Sequence, residues 1–276
     1  MQFLLALAAQ LAWLKWVGAG AAVAIGILGG LYFFWQKTKE ENYELKETFD
    51  GLFLSGIGAL FAARITYILL HLDTFPLRPL ALLNIVSYPG LWTFAGLVAA
   101  YAIILRTARQ QKKEVWELWD FYTILVAWFM IWWWLSRFLL GAAAGTSTTL
   151  PIGMMFPQRV EPAHPVQLYA TVFFAALFRY LWWAEPKYRF FIWYRSKKRT
   201  AKPGFITAMF MIFVGLFGVL TSFIQYPFMM VFDFELNQIL SAVMFIAGLV
   251  LLYVRSGQSF FKKEKGPYVT SFPTTT

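Results

Sequence analysis

Three side chains in this sequence combine useful chemistry with a costly position: Arg64, Arg137 and His164. Arg64 sits in Ala62-Ala63-Arg64-Ile65-Thr66-Tyr67, midway through an apolar run, and Arg137 closes another such run. A charge held in hydrocarbon is expensive unless it is paired or wetted, so these positions have first claim as site residues. A guanidinium presents a planar fork of donors that matches the oxygens of a phosphate. His164 is one of two histidines and stands directly before Pro165, a residue suited to the first turn of a helix, with Gln167 and Tyr169 following within a turn. Its imidazole can take or donate a proton in an acid–base step. It can equally cap and orient the helix that follows, and the residues alone leave both readings open. The connection from Gly141 to Pro165 supplies small residues and hydroxyls leading into that helix, a setting suited to a phosphate or lipid headgroup. Arg179 lies near the end of its apolar run, where the side chain can reach the interface by snorkelling.

No metalloprotease, nucleophile-elbow, P-loop or dinucleotide fingerprint is present. With zero cysteines the chain has no thiolate nucleophile of its own, no disulfide and no Cys-ligated metal. No cofactor is implied.

The elements that must position these residues are membrane spans. Of 276 residues, 59% are hydrophobic, 20% aromatic and only 14% charged, which is not the composition of a soluble surface. A helix needs about 20 mostly apolar residues to cross the hydrocarbon. Seven runs approach that length: Val17–Trp35, Leu52–Leu72, Leu91–Leu105, Phe121–Leu140, Val166–Trp183, Phe205–Phe223 and Ile239–Val254. The expected fold is therefore all-α, a polytopic membrane protein with seven transmembrane helices. Residues 1–256 are expected to form one membrane domain and 257–276 a cytoplasmic tail. Met1–Leu14 is read as an interfacial arm, with a bend at Lys15 and Gly18, because no basic stretch precedes it as in a cleaved signal peptide. Gly26, Gly29 and Gly30, and the Ala59 to Ala63 spacing, are expected to let helix backbones approach.

Alternate loops collect the cations. They are Lys37, Lys39 and Lys46, then Arg106, Arg109, Lys112 and Lys113, then the cluster from Lys187 to Lys202, then Arg255, Lys262, Lys263 and Lys265. That partition puts the N-terminus outside and the C-terminus in the cytoplasm. The net charge of +10 is a topology signal that also meets anionic headgroups, and nucleic acid is not an expected partner. A transporter or channel lacks support, since only Arg64 is deeply placed and no helix is interrupted at mid-membrane.

Taken in order, the segments resemble the prolipoprotein diacylglyceryl transferase family. Ala63-Arg64-Ile65-Thr66-Tyr67 resembles the family's A-R-L-G-Y, and Pro89-Gly90-Leu91-Trp92-Thr93-Phe94-Ala95-Gly96-Leu97 its G-G-M-S-F-H-G-G-L. Leu150-Pro151-Ile152-Gly153-Met154-Met155-Phe156-Pro157, then His164-Pro165-Val166-Gln167-Leu168-Tyr169, resemble L-P-W-G-V-x-F-P and H-P-S-Q-L-Y-E. Asn237-Gln238-Ile239-Leu240-Ser241 resembles G-Q-I-L-S, and Gly145 is in register with a later glycine of the span-four signature. The resemblance implies a multi-pass protein of the bacterial cytoplasmic (inner) membrane. Its implied activity moves diacylglyceryl from phosphatidylglycerol to the cysteine of a lipoprotein precursor. The implied partners are phosphatidylglycerol or another anionic phospholipid, the prolipoprotein signal segment and the membrane. His164 and Arg137 would be catalytic, with Arg64, Tyr67, Gly145, Gln167 and Tyr169 binding substrate.

The departures concentrate on polar positions. The family's span-three histidine aligns with Phe94, its span-four glutamate with Ala142, its span-six arginine and glutamate with Gly218 and Ser222, and the final glutamate of H-P-S-Q-L-Y-E with Ala170. Lys15-Trp16-Val17 stands where the family has R-W-Y. Two expectations follow: a divergent transferase, or a catalytically silent relative that binds phospholipid or lipoprotein signal segments.

Overall fold

The computed structural model describes residues 2–72, 88, 90–157, 159–187 and 203–256. Arg78, Pro89, Gln158, the basic run from Arg189 to Lys202 and the tail from Gly257 lie outside the described residues. Seven long helices are described: α1 Gln2–Glu40, α2 Leu45–Leu70, α3 Thr93–Gln110, α4 Val115–Leu139, α5 Val166–Pro186, α6 Phe205–Ser222 and α7 Leu236–Ser256. A two-stranded antiparallel hairpin, β1 Met230–Val231 and β2 Phe234–Glu235, joins the last two. The protein is thus an all-α membrane protein. Among the described residues, five helices (α1, α2, α4, α6 and α7) are long and apolar enough to cross a bilayer. In α3 the last turn goes to Arg106, Arg109 and Gln110, and α5 carries Gln167, Arg179 and Glu185.

One expectation is corrected. α1 runs unbroken through Lys15 and Gly18, where a bend was expected. Neither residue forbids helix; a single glycine in a helix interior costs only about 1 kcal/mol, and Gly18 faces Leu139 at the end of α4.

α1, α3 and α4 all end in the same way. Asn42, Lys112 and Gly141 adopt φ of 53°, 53° and 69°. The next residue then donates to a carbonyl five residues back: Tyr43 to Thr38, Lys113 to Ala108, and Ala142 to Arg137, at 2.9–3.1 Å. This left-handed cap satisfies helix-end carbonyls and turns the chain sharply. Two of the three turns lead within four residues into the next helix.

α4 is the hub, packed against α1, α3, α5 and α6. Small residues set the spacing. A Cβ at Gly26 would meet Trp132 at 2.9 Å, and Gly29 lies under the Trp128 indole. Gly96 of α3 faces the Ala59 carbonyl and the Ala63 methyl of α2, which a Cβ in its place would meet at 3.0 and 3.3 Å. Both expected close approaches are therefore present.

Alternating helix directions give the bundle two ends. At one, α2, α4 and α6 finish while α3, α5 and α7 begin: Trp92 bonds Asn237, and Thr146 bonds the Ile224 carbonyl. At the other, Lys37 meets Glu185 at 2.6 Å with both side chains buried. There too, Asp120 accepts bonds from the Gly204 amide (2.7 Å), the Thr207 amide (2.8 Å) and the Thr207 hydroxyl (2.7 Å), which caps the start of α6.

Candidate functional site

All seven expected site residues lie toward the first of these ends, but they form two groups. The first sits where α2, α3 and α7 meet. Arg64 is 5% exposed, and its Nη1 donates to the carbonyls of Tyr88 (2.8 Å) and Gly90 (2.9 Å). A charge that is costly on the helix is thereby spread over backbone dipoles, and it ties the chain entering α3 to α2. Tyr67 lies across Gly90, where a Cβ would collide with its ring. Tyr67 stacks on His71 with centroids 4.3 Å apart, and both rings approach Phe228. His71 Nδ1 lies 2.9 Å from the Tyr67 carbonyl, which can only accept, so the proton of that bond is on Nδ1. Trp92 stacks on Phe228 with planes 3° apart, and its indole donates to Asn237. Glu235 is buried and accepts bonds from the Phe228 amide and the Asn237 side chain.

His71 is a residue that sequence reasoning passed over. The available signal was its position four residues after Tyr67, which puts both rings on one helix face.

The second group is built on the end of α4, the loop 140–165 and the start of α5. The loop is irregular but tightly held. Gly145 donates to the His164 carbonyl and His164 to the Thr146 carbonyl, while Met154 and Ala163 exchange a pair of bonds at 2.9 and 3.0 Å. Gly145 is buried so closely against Ile224, Val166 and His164 that a Cβ would meet the last two at 2.8 and 2.9 Å. His164 is half-buried, and its Nδ1 lies 3.4 Å from the Tyr169 hydroxyl, a long contact that leaves the ring weakly held. Gln167 is fully buried and donates through Nε2 to the Ala142 carbonyl at 2.7 Å. That bond fixes the amide orientation, since the flipped form would oppose two oxygens. Gln167 Oε1 is then left buried with no hydrogen-bond partner.

Arg137 lies one turn before the loop. Its guanidinium faces the Trp133 and Trp134 rings at 6.0 and 5.8 Å, and its Nε is buried without a hydrogen-bond partner. Gln167 connects to it only through the backbone, since the Ala142 amide caps the Arg137 carbonyl. A buried donor and a buried acceptor, both unmet and both within one loop's reach, are unusual in a folded protein and suit a ligand that has oxygens and hydroxyls. No described contact joins Arg64 to Arg137.

The positions where polar groups are missing are filled differently. Phe94 is half-buried beside Trp92, with ring centroids 6.3 Å apart. Gly218 faces Ser241 of α7, where even a Cβ would meet the serine Cβ at 2.9 Å, so a longer side chain has no room on that face. Ser222 bonds back to the Val219 carbonyl at 2.7 Å, and Ala170 is fully buried. Among the described residues, no group of three or more His, Asp or Glu side chains is arranged to hold a metal ion.

A family model described as prolipoprotein diacylglyceryl transferase matches residues 8–254. The chain is similar to proteins named phosphatidylglycerol–prolipoprotein diacylglyceryl transferase from several bacteria. With that of Shewanella sp. (strain ANA-3) it shares 27% identity over 259 residues, covering 89% of each chain. With that of Bordetella avium (strain 197N) it shares 28% over 225 residues, covering 79% of this chain and 81% of the relative. With that of Pasteurella multocida (strain Pm70) it shares 26% over 264 residues, covering 91% of each.

Proposed function

Since the chain belongs to the prolipoprotein diacylglyceryl transferase family, we propose that it transfers diacylglyceryl from phosphatidylglycerol to the cysteine of a lipoprotein precursor. In that reaction the cysteine sulfur attacks the glyceryl carbon that bears the phosphate ester. A C–S bond forms, the C–O bond breaks, and glycerol phosphate departs with the bonding electron pair. The thiol proton must go to a base, and the phosphate must be held as it leaves.

Arg137 holds that phosphate. The single observation that carries the reading is its buried, unpartnered Nε beside the loop. A guanidinium already lodged there and lacking a hydrogen-bond acceptor gains charge-assisted bonds when a phosphate arrives. His164 takes the thiol proton, its backbone held by Gly145 and Thr146 and its ring, only loosely in contact with Tyr169, free to turn to the thiol. Gln167 Oε1 accepts from a headgroup hydroxyl. Arg64 and Tyr67, in the first group, line the lipid path.

The same reading takes the bundle as seven spans with the N-terminus outside, the site at the outer surface of the bacterial inner membrane and the basic ends in the cytoplasm. Residues 1–256 form one membrane domain, with 1–14 an N-terminal arm continuous with α1, and 257–276 form a cytoplasmic tail. Nucleic acid has no part in it.

A second reading, a silent relative that binds phospholipid or a signal segment, is favoured by Phe94 and by the crowding at Gly218, which leave no acid–base group at either position. Purified protein in proteoliposomes, given acyl-labelled phosphatidylglycerol and a cysteine-bearing prolipoprotein peptide, separates the two. Label moves to the peptide in the first reading, and the transfer is lost in His164→Ala. In the second reading no label moves, although the lipid is retained.

A further inference from the structure

The apolar surface of this molecule does not stop where its helices stop. On the outward faces of α6 and α7, Leu216, Leu220 and Phe223, and Val243, Ile246 and Val250, are exposed, as befits helices long and apolar enough to cross a membrane. Between them the hairpin continues the same surface, with Tyr226, Met230, Phe232 and Phe234 all exposed and Phe232 92% so. Residues that reach water at a hairpin tip are ordinarily polar. Here the two-residue turn is Phe232-Asp233, at φ 48° and 64°, a doubly left-handed turn that favours Asn and Gly and is costly for a bulky aromatic.

The base of the hairpin is firmly held, in contrast to its tip. Glu235 accepts from the Phe228 amide, Leu236 donates to the Met229 carbonyl at 2.8 Å, and Phe228 is stacked on Trp92 beside Tyr67 and His71. A rigid base that presents an apolar tip is the build of an anchor.

We propose that the tip of this hairpin, Phe232 with Met230 and Phe234, is seated in the lipid interface at the site end of the bundle. Three observations select lipid as the occupant. The exposed apolar surface is continuous with the lipid-facing sides of two membrane-crossing helices. α6 has 18 residues, which at about 1.5 Å each nearly match a hydrocarbon core of about 30 Å, so the chain just beyond it falls at the boundary. No Lys or Arg occurs from Gly204 to Val254, and the exposed Tyr226 supplies the amphipathic ring that settles at that depth. Anchored there, the hairpin keeps the Tyr67–Trp92–Phe228 cluster at headgroup level. This inference rests on the fold and not on the transfer activity.

The chain has no cysteine, so a single label reports from one place. Phe232→Cys, nitroxide-labelled in full-length protein in bilayers of phosphatidylglycerol and phosphatidylcholine, is compared with Lys46→Cys on the exposed first turn of α2. The spin label at position 232 should collide more often with oxygen, which concentrates among acyl chains, than with a water-soluble nickel chelate, and the label at 46 should show the reverse order. Phe234→Cys should follow position 232. A label at 232 that meets nickel as freely as the one at 46 would overturn the proposal. Shielding from both reagents that grows with protein density would do so too, because another copy of the chain would then be covering the tip.

Discussion

One end of the bundle meets its buried charges, whereas the loop group at the other end leaves buried polar atoms unmet. Where α1, α3, α5 and α7 finish, the charges are paired: Lys37 with Glu185, Asp120 with three donors at the start of α6, and Arg255 with Glu114 and the Pro203 carbonyl. Tyr43 adds a bond to Glu117 and Gln111 one to Thr48, and among the described residues there only the Gln111 side-chain carbonyl oxygen is left buried without a partner. Where α2, α4 and α6 finish, Arg137 Nε and Gln167 Oε1 are buried and unmet, and His164 has one long side-chain contact. The first arrangement stabilises and closes. The second leaves bonding capacity unused, which a protein tolerates where a ligand will use it.

That contrast can be broken most decisively at His164. His164→Ala should lower lipid transfer by about 10²–10⁴-fold, the usual worth of a positioned acid–base group, with little change in thermal unfolding in detergent. Arg137→Ala should cost about 10²–10³-fold in rate, again with unfolding nearly unchanged, because its buried Nε has no hydrogen bond to lose and its backbone bond to Ala142 is kept. At the opposite end the signs exchange. Lys37→Ala breaks the buried pair with Glu185 and should destabilise by about 3–5 kcal/mol, read as a lower unfolding midpoint, while activity per folded molecule stays intact. Asp120→Ala uncaps α6 and should cost about 1–2 kcal/mol on the same scale. The smallest effect sharpens the site itself. Gln167→Leu removes the unmet acceptor along with one bond, so it should change stability by about 1 kcal/mol or less while weakening retention of phosphatidylglycerol, measured as lipid bound per protein.

Much of this organisation can be read from the chain because it is local. Runs of about 20 apolar residues mark the helices, and the small residues Gly26, Gly29 and Ala59–Ala63 mark where helices touch. The loop group was legible for the same reason: Gly145, His164, Gln167 and Tyr169 lie within 25 residues of one another. What escaped is long-range. Lys37 and Glu185 are 148 positions apart, and nothing in either neighbourhood names the other. Asp120 gave a partial signal, since a carboxylate among Trp119, Phe121 and Tyr122 must find donors, but not that they would come from Gly204 and Thr207. Arg64 was correctly marked as expensive, yet its partners include backbone carbonyls that carry no sequence signature. The continuity of α1 escaped because Lys15 and Gly18 are weak helix residues that a long helix absorbs.

The most direct measurement sets Arg137→Ala beside Lys37→Ala in one experiment, with acyl-label transfer and thermal unfolding followed on the same proteoliposome and detergent preparations. The predicted result is a crossed pattern: Arg137→Ala keeps its unfolding midpoint and loses transfer, whereas Lys37→Ala loses its midpoint and keeps transfer per folded molecule. Equal loss of both properties in both variants would contradict the division of the molecule into a closing end and a working end. Unchanged transfer in Arg137→Ala would remove the phosphate from its guanidinium.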